Sequence, residues 1–456
     1  MFAKREPGSG IGKVPVVGTS LRRLLAFAGP GYLVSVGYMD PGNWSTDMSA
    51  GSRYGTMLLW VVLASSLMAM LLQTLCARLG IAGGLDLAEA CRERTTPATS
   101  FVLWILAEVA IIACDLAEVV GSAVALNLLF KIPLEIGVVI TGLDVLILLL
   151  LQNFGMRKLE ALVIVFVATI SACFAVNIWM AKPDWASVGH GLITPHIPAG
   201  EGLLLAVGIL GATVMPHNLY LHSSLVQSRD YMRDAGGKKE AVRFATWDGL
   251  IALGAAFFVN AAILVLAASV FFRAGKDVSE LKDAFQLLGP GTLAATLFAV
   301  ALLCSGQSST VTGTMAGQIV MEGFVKFKIA PWKRRLFTRL LAIVPAVAFV
   351  VAQKGQNTIE ILNWSQVILS MQLPFAIFPL VIFTSDKRVM GEHANPLWLK
   401  VIAYAICIAI TLLNLSLIRQ VQGSGFLIGV LALLAAIGGA LIWDARRRRV
   451  RPAAAS

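Results

Sequence analysis

Two short polar sequences interrupt apolar stretches of this chain and carry side chains that could bind a cation. They are Asp40-Pro41-Gly42-Asn43 and Met215-Pro216-His217-Asn218. A helix in lipid must satisfy its own backbone, so proline beside such polar groups is tolerated at mid-depth only where the chain lines a protein-walled cavity. We therefore expect both sequences to interrupt a helix and to face a cavity, with the breaks at Pro41, Gly42 and Pro216.

The side chains at the two breaks form a mixed set of donors. Asp40 offers a hard anionic oxygen, Asn43 a neutral oxygen and Met215 a soft thioether. Mg²⁺ and Ca²⁺ prefer oxygen ligands alone, whereas a sulfur ligand favours transition metals such as Mn²⁺ and Fe²⁺. Unwound backbone carbonyls at Gly37 and Ala212 would add further oxygens. The alternative for Met215 is simple core packing.

Three carboxylates lie in another apolar segment, at Glu108, Asp115 and Glu118. Their spacings of seven and three residues place them on one stripe of a helix. Carboxylates at membrane depth are costly and usually functional, so we interpret the stripe as a proton relay. The alternative is that these acids are protonated and form hydrogen bonds between helices. This alternative suits Glu108 best. Arg339, deep in a later apolar segment, is the expected partner that would keep a neighbouring carboxylate ionised.

His217 is a second candidate for proton transfer. Imidazole titrates near neutrality and binds Mn²⁺ and Fe²⁺. However, a residue two positions after Met215 need not point to the same side of the chain. We expect a gating or proton-pathway role for His217, with metal ligation or a helix-packing hydrogen bond as the alternatives.

Composition defines the class of protein that must hold these groups. Hydrophobic residues make up 57% and charged residues 14% of the 456 residues, and the mean hydropathy is +0.78. A water-soluble fold of this length does not need so much apolar surface, so the surplus must face lipid. About twelve stretches are long enough to cross roughly 30 Å of hydrocarbon. The sequence predicts an all-α polytopic membrane protein.

The distribution of basic residues predicts the orientation in the membrane. If the N-terminus is cytoplasmic, all but eight of the 37 Lys and Arg residues lie on the cytoplasmic side. Such a bias is typical of cytoplasmic loops, so we expect a multi-pass protein of the cell (inner) membrane with both termini inside. The exceptions are Arg53, Lys131, Lys182, Arg273, Lys276, Lys282, Lys354 and Arg419.

The order of the segments predicts an internal repeat. The two proline breaks fall in the first and sixth segments, which correspond if segments 1–5 and 6–10 are two repeats of opposite orientation. We expect a tail at 1–22, repeat 1 at 23–182, repeat 2 at 200–385, two additional spans at 396–443 and a basic cytoplasmic tail at 444–456.

Several functions are excluded by what the sequence lacks. It contains no Walker A or other glycine-rich phosphate loop and no long hydrophilic domain, so ATP-driven transport and enzymatic activity are not expected. The basic residues are dispersed among short loops, which excludes a nucleic-acid partner. The expected partners are divalent metal ions, protons and the lipid bilayer, with no cofactor and with the monomer as the functional unit.

Three motifs together resemble the Nramp (natural resistance-associated macrophage protein) family of divalent metal transporters, in particular its bacterial manganese and iron members. They are Gly-Tyr-Met-Asp-Pro-Gly-Asn at 37–43, Asp-Leu-Ala-Glu at 115–118 and Met-Pro-His-Asn-Leu-Tyr-Leu-His-Ser-Ser at 215–224, within a similarity that runs from about residue 20 to 390. The resemblance implies a leucine-transporter-type 5+5 inverted repeat with discontinuous helices 1 and 6. It also implies import of Mn²⁺ and Fe²⁺, and of Cd²⁺ or Co²⁺, together with protons.

By this resemblance Asp40, Asn43 and Met215 match the metal-binding side chains, and the carbonyls of Gly37 or Ala212 contribute in particular states. Gln366 would complete the shell in an occluded state, the alternative being an amide hydrogen bond between helices. Two other classes remain as hypotheses: an organic-solute carrier of the same fold, such as an amino-acid transporter, and a membrane receptor. The facing carboxylate and thioether argue against the first, and the lack of an output domain argues against the second.

Overall fold

The computed structural model describes residues 14–15, 26–152, 156–278, 280–325, 331–353 and 355–447. These residues are almost entirely helical. The two strands among them, β1 (Val14–Pro15) and β2 (Arg229–Asp230), are two residues long and pair in parallel. The predicted all-α class is confirmed.

Seven helices form the first part of the bundle. Proline occupies the first turn of the first, second and fifth, where its missing N–H has no helical partner to lose. Asp40 and Thr96 cap the second and fifth by accepting from backbone N–H groups. The helices are α1 (Pro30–Gly37), α2 (Pro41–Tyr54), α3 (Leu59–Arg78), α4 (Leu87–Arg94), α5 (Pro97–Phe130), α6 (Leu134–Gln152) and α7 (Met156–Ala181).

The second part of the bundle follows a short connecting helix, α8 (Trp185–Ile193). Its helices are α9 (Gly202–Val214), α10 (Pro216–Leu225), α11 (Ala235–Ala267), α12 (Leu281–Leu287), α13 (Leu293–Val325), α14 (Pro331–Ala352), α15 (Thr358–Ser385), α16 (Lys387–Met390) and α17 (Leu397–Arg447).

Eight helical segments in the described ranges are long and apolar enough to cross a membrane. The first predicted span is not among them because three unwound residues, 38–40, divide it into helices of 8 and 14 residues, whereas Met215 alone interrupts Gly202–Ser228. The eight are Leu59–Gly83, Pro97–Phe130, Arg157–Ala181, Gly202–Ser228, Ala235–Phe272, Leu293–Val325, Thr358–Ser385 and Leu397–Val421.

Both predicted helix breaks are present. α1 ends at Gly37 and α2 begins at Pro41, while α9 ends at Val214 and α10 begins at Pro216. The unwound residues are therefore 38–40 and Met215, and each proline is the first residue of the second half-helix. Gly42 differs slightly from expectation because it lies in the first turn of α2 rather than in the unwound segment.

The last helix also differs from expectation. The sequence predicts two spans within 396–443, whereas the structure has one continuous helix, α17, of 51 residues. The residues between the two expected spans include Gly423-Ser424-Gly425. Glycine costs a helix about 1 kcal/mol but keeps its N–H, and no proline is present to remove a hydrogen bond, so nothing in the local sequence forces an end.

The interrupted helices lie at the centre of the bundle. α2 packs against α9, α11 and α15, and α10 packs against α3 and α13. α9 and α15 approach closely at Gly211, where a Cβ atom would lie only 2.8 Å from the backbone nitrogen of Ser370. A side chain at Gly211 would therefore push α9, which ends at the second break, away from the polar part of α15.

A buried ionic network holds one end of the bundle, called here the Arg229 end. The Arg229 guanidinium donates to the carbonyl of Phe27 at 2.9 Å and to Glu160 Oε1 at 2.6 Å. Asp248 of α11 accepts from the backbone nitrogen of Gly31 at 2.7 Å. The start of α1 is therefore fixed to α7, α11 and the segment after α10.

The opposite end, called here the Arg53 end, is held by a second group of charges. Arg53 lies in the last turn of α2, contacts Glu201 before α9, and donates to Asp277 Oδ1 at 3.0 Å. The Arg53 side chain is 28% exposed, so this contact lies closer to solvent than the Arg229 network. The two half-helices α2 and α9 are thus joined at their ends away from the breaks.

Candidate metal centre

The first break presents a buried carboxylate with one free oxygen. Asp40 begins α2 as its N-cap, and its Oδ1 accepts from the backbone nitrogen of Asn43 at 2.8 Å and from Asn43 Nδ2 at 2.9 Å. Its Oδ2 has no hydrogen-bond partner among the described residues, although Asp40 is completely buried. A buried carboxylate is costly without a cation, so this oxygen is a candidate ligand.

The second break presents a thioether on a strained backbone. Met215 alone separates α9 from α10 and has a positive φ of 42°. Such a conformation costs a non-glycine residue about 1–3 kcal/mol and is typical of functional sites. The buried Met215 sulfur accepts from Asn218 Nδ2 at 3.3 Å, which fixes the thioether close to the break.

Hydrogen bonds join the two breaks directly. Asn43 Nδ2 donates to the Ala212 carbonyl at 3.0 Å, and the Tyr38 hydroxyl donates to the Val214 carbonyl at 3.3 Å. Gly37, the last residue of α1, lies against Asn218, where a Cβ atom would be 3.2 Å from Oδ1. The carboxylate side and the thioether side therefore face each other across a few ångströms, as the inverted repeat requires.

The two candidate carbonyls are not equivalent in this structure. The Ala212 carbonyl faces Asn43 across the break, whereas the Gly37 carbonyl accepts a backbone hydrogen bond from Asp40 N at 3.3 Å. A carbonyl oxygen has two lone pairs, so either can still bind a cation. Ala212 is the better placed of the two because its neighbours are the side chains of the centre.

Gln366 reaches the centre from a third helix. It is completely buried in α15, its Nε2 donates to Ser365 Oγ at 3.0 Å, and its side chain lies directly against Gly42. The absence of a side chain at Gly42 is what makes room for the Gln366 amide. Its Oε1 has no partner within the described ranges and is a further oxygen donor.

Two amides near the centre were not found from the sequence. Asn260 of α11 donates to the Tyr38 carbonyl at 2.8 Å and to Asn43 Oδ1 at 3.2 Å, so it supports the first break. Asn218 supports the second break through Met215. Asn260 could have been found as a single amide in a long apolar stretch, where it stands between Val259 and Ala261.

The donor set of the centre can hold a cation with both hard and soft ligands. Several buried side-chain oxygens without partners in the described structure lie around the two breaks, among them Asp40 Oδ2, Asn218 Oδ1, Asn260 Oδ1 and Gln366 Oε1. Each such atom costs about 1–3 kcal/mol if it stays unsatisfied. One negative charge, amide oxygens and one thioether are suited to a divalent transition metal ion.

A polar cluster separates the centre from the Arg229 end. Gln73 of α3 donates to the Tyr38 hydroxyl at 2.6 Å, and His222 Nδ1 lies 2.9 Å from Gln73 Oε1. All three side chains are buried. The cluster connects the end of α1 with α3 and α10.

The carboxylate stripe lies on α5, with its two deeper members close together. Asp115 and Glu118 are buried, and both approach Gly313 of α13, where a Cβ atom would lie 3.3 Å from Asp115 Oδ1 and 2.8 Å from Glu118 Oε1. Glu108 is half-buried two turns earlier and accepts from Trp104 Nε1 at 2.9 Å. The structure thus groups Asp115 with Glu118 and leaves Glu108 apart.

Cys114 connects this stripe to the metal centre. Its sulfur lies 3.6 Å from His217 Nε2 and 3.6 Å from Glu118 Oε1, and it also packs against Met215. This contact could not be predicted from the sequence, because a single cysteine in an apolar segment usually fills the core. The result is a buried path from the second break through His217 and Cys114 to Glu118.

His217 does not act as a partner of Met215 in this geometry. It is 2% exposed, and its Nε2 is the atom that faces Cys114, while Nδ1 has no hydrogen-bond partner in the described part of the chain. The expected partner of the carboxylates, Arg339, belongs to α14, which packs against α5. The Arg339 side chain lies outside the described residues.

Two interrupted helices that face each other around unsatisfied donors, beside two buried carboxylates, are the arrangement of a membrane transporter built on inverted repeats. Solved structures at low identity agree on this fold. The nucleobase-cation-symport-1 transporter Mhp1 superposes with a TM-score of 0.59 at 16% identity, covering 92% of this chain and 93% of its own. The fold class predicted from the sequence is confirmed.

The chain belongs to the Nramp family. The family model for natural resistance-associated macrophage protein-like sequences matches residues 31–420. The chain is 54% identical over 414 residues to the divalent metal cation transporter MntH of Nostoc sp., covering 90% of this chain and 94% of the relative. It is 53% identical over 411 residues to MntH of Agrobacterium fabrum, covering 89% of each.

A solved structure at higher identity gives the same result. A crystal structure of a mutant of the Eremococcus coleocola manganese transporter superposes with a TM-score of 0.86 at 42% identity, covering 96% of this chain and 98% of that one. These relatives are transporters, so the expectation that the chain is not an enzyme is confirmed. The resemblance seen in the three motifs extends over most of the chain.

Proposed function

We propose that this protein is a proton-coupled symporter that imports divalent transition metal ions, Mn²⁺ and Fe²⁺ and also Cd²⁺ and Co²⁺, by alternating access. The observation that carries the proposal is a completely buried Asp40 carboxylate, without a cationic partner in the described structure, at a helix break that hydrogen bonds join to the break carrying the Met215 thioether. The relatives named as divalent metal cation and manganese transporters support it. The metal ion is the substrate and not a resident cofactor.

The proposed binding step uses the donors of both breaks. Asp40 supplies the charge that offsets dehydration of the ion, Asn43 and the Ala212 carbonyl supply neutral oxygens, and Met215 supplies sulfur. Gln366 on α15 would join them when the centre closes. The donors belong to α1–α2, α9–α10 and α15. Movement of these helices relative to one another would therefore change both the geometry of the metal site and the side from which an ion can reach it.

The proposed proton path runs beside the metal site. His217 lies close to Met215, and Cys114 links it to Glu118, so a proton that the arriving divalent charge displaces from the His217 imidazole has a buried route towards Asp115 and Glu118. Repulsion between the two positive charges favours this transfer. Arg339 would keep the acceptor pair ionised until the proton arrives. Glu108, apart from the pair, would have at most an auxiliary role.

The proposed orientation follows from the basic residues. The Arg229 end would face the cytoplasm and the Arg53 end the outside, in a multi-pass arrangement within the cell (inner) membrane. Both termini would then be cytoplasmic. We propose the monomer as the functional unit.

Reconstitution into liposomes tests the proposed function directly. With an inward proton gradient, Mn²⁺ should enter and quench an internal metal-sensitive dye, and an internal pH dye should report acidification only when Mn²⁺ is added outside. Collapse of the gradient with a protonophore is the control and should slow metal entry. Metal entry at an unchanged rate without any proton movement would contradict symport.

Met215→Ala should weaken discrimination against hard ions. Removal of the only sulfur ligand leaves an all-oxygen set, so Ca²⁺ should compete with Mn²⁺ at least about tenfold better and Cd²⁺ binding should suffer most. Competition for Mn²⁺ uptake and calorimetric Cd²⁺ binding measure these changes. Met48→Ala is the matched control, since Met48 is equally buried in α2 but outside the centre. Unchanged Ca²⁺ competition would assign Met215 to packing.

A further inference from the structure

Ser305 of α13 binds the unwound segment of the first break. Its hydroxyl donates to the Met39 carbonyl at 2.5 Å, and both residues are completely buried. Met39 is the middle residue of the unwound segment 38–40 and immediately precedes Asp40. A helix that carries none of the proposed ligands therefore contacts the backbone beside the proposed metal-binding carboxylate.

This hydrogen bond differs from those that follow it in α13. A serine or threonine within a helix commonly donates to a carbonyl three or four residues earlier in the same helix. The next hydroxyls of α13 follow that rule, and they belong to Ser308, Ser309, Thr310 and Thr312. Ser305 instead donates to another element, so its hydroxyl joins α13 to the first break.

Two helices thus supply donors to the unwound carbonyls. Asn260 of α11 donates to the Tyr38 carbonyl at 2.8 Å, and Ser305 of α13 donates to the Met39 carbonyl. Carbonyls beyond the end of a helix have no helical donor and must be satisfied by other groups when they are buried. The two bonds fix the backbone that leads into Asp40, and with it the direction of the Asp40 carboxylate.

Two close approaches connect the same region to α5. Gly121 of α5 lies directly against Pro41, where a Cβ atom would overlap the proline ring. Gly306, the residue after Ser305, lies directly against Ser122 of α5, where a Cβ atom would overlap the hydroxyl. Glycine at these two positions allows α5, α13 and the first break to meet without side chains between them.

The same two helices hold Asp115 and Glu118, called here the α5 carboxylates. On α5, Gly121 follows Glu118 by about one turn. On α13, Gly313 lies against both carboxylates and follows Ser305 by eight residues, which is about 12 Å along the helix. Because α5 and α13 pack directly against each other, a shift of one helix at the α5 carboxylates would be transmitted to the first break.

We propose that Ser305 is a positioning residue that orients the backbone before Asp40 for metal binding and makes the metal affinity depend on the state of the α5 carboxylates. This role rests on the proposed metal centre and on the proposed proton acceptors. A change at the α5 carboxylates would move α13 against α5, and the Ser305 hydroxyl would pass the movement to the unwound segment. The link is conformational and separate from the proposed proton path through His217 and Cys114.

Calorimetric titration of the purified full-length protein with Mn²⁺ tests the positioning role. Ser305→Ala should lower the Mn²⁺ affinity about tenfold, because the unwound segment loses one of its two side-chain donors and Asp40 is held less well. Ser305→Thr keeps a hydroxyl and should bind within about threefold of the wild type. Equal losses in Ser305→Ala and Ser305→Thr would assign the effect to packing and overturn the role of the hydroxyl.

Ser309→Ala is the matched control for these titrations. Ser309 lies one turn further along α13 and is also buried, but its hydroxyl donates to the Gly306 carbonyl of its own helix. Its removal should leave the Mn²⁺ affinity at the wild-type value. An equal loss in Ser309→Ala and Ser305→Ala would indicate a general effect of changes in α13 and would overturn the assignment. If Ser305→Ala unfolds, Ser305→Cys replaces it, since a thiol is a weaker donor of similar size.

A double-mutant cycle with Asp115→Asn tests the link to the α5 carboxylates. If Ser305 transmits their state, the affinity of the double variant should differ at least about threefold from the product of the two single effects. Glu108→Gln changes a carboxylate that lies apart from the α5 carboxylates, and with Ser305→Ala it should give the simple product. Simple products in both cycles would overturn the link.

Asp40→Asn distinguishes a failure of this role from a failure of the proposed metal centre. Tight Mn²⁺ binding that survives Asp40→Asn would count against the centre itself. Loss of binding in Asp40→Asn together with wild-type affinity in Ser305→Ala would leave the centre in place and overturn the role of Ser305.

Discussion

Asp40→Asn should abolish Mn²⁺ uptake while leaving the fold intact. The substitution keeps the size of the side chain and removes the only negative charge at the two breaks, which offsets the dehydration of a divalent ion. Removing one partner of a buried charge pair costs about 2–5 kcal/mol. Because 1.4 kcal/mol corresponds to a tenfold change, Mn²⁺ affinity should fall by at least about 30-fold, and uptake should fall below detection.

Helix α2, which begins directly after Asp40, should tolerate the Asp40→Asn substitution. Asp40 is the N-cap of α2 and accepts from Asn43 N, and asparagine is as good an N-cap as aspartate. Thermal unfolding and size-exclusion profiles should therefore match the wild type. Asp184→Asn, a change at the exposed N-cap of α8 far from the centre, is the matched control. Uptake by Asp40→Asn at the wild-type rate would refute the assigned metal centre.

Asp115→Asn should uncouple proton movement from metal movement. If Asp115 and Glu118 accept the proton, the amide removes one of two acceptor carboxylates grouped at Gly313. Metal-stimulated acidification should then be lost, and Mn²⁺ transport should become nearly independent of external pH. Some metal flux should remain because Asp40, Asn43 and Met215 are unchanged.

Simultaneous recording of an internal pH dye and a metal-sensitive dye measures both fluxes in one preparation. Glu108→Gln is the control within the same stripe, because Glu108 is half-buried, hydrogen-bonded to Trp104 and separated from the other two by two turns. It should retain metal-driven acidification. Intact acidification in Asp115→Asn would return the proton role to Asp40 or His217.

The helix breaks could be predicted because their cause is local. Pro41 and Pro216 cannot donate a backbone hydrogen bond, and polar residues beside them are too costly for a lipid-facing helix. Because the two breaks fall in the first and sixth segments, which correspond in two repeats of five, the inverted repeat could be predicted as well. The donors Asp40, Asn43 and Met215 followed from the same two motifs, although their role as ligands stays a prediction.

Other parts of the site could not be predicted because their partners are remote in sequence. Asn260 supports Asn43, Gln366 lies against Gly42, and Cys114 joins His217 to Glu118. Each is a single polar or sulfur-containing residue in an apolar helix, where the local pattern is the same for core packing and for function. The contact between helices decides between these roles.

The sequence by itself determined the membrane class, the family and the positions of the two breaks, because apolar length, proline and residue spacing act over one or two turns. Only the tertiary structure decided which oxygens are left unsatisfied around the breaks, and that Asp115 and Glu118 both lie against Gly313 while Glu108 lies apart. It also decided that residues 397–447 continue as a single helix. The physical reason is that burial and hydrogen bonding of a side chain depend on which helix faces it, and that depends on packing across the whole bundle.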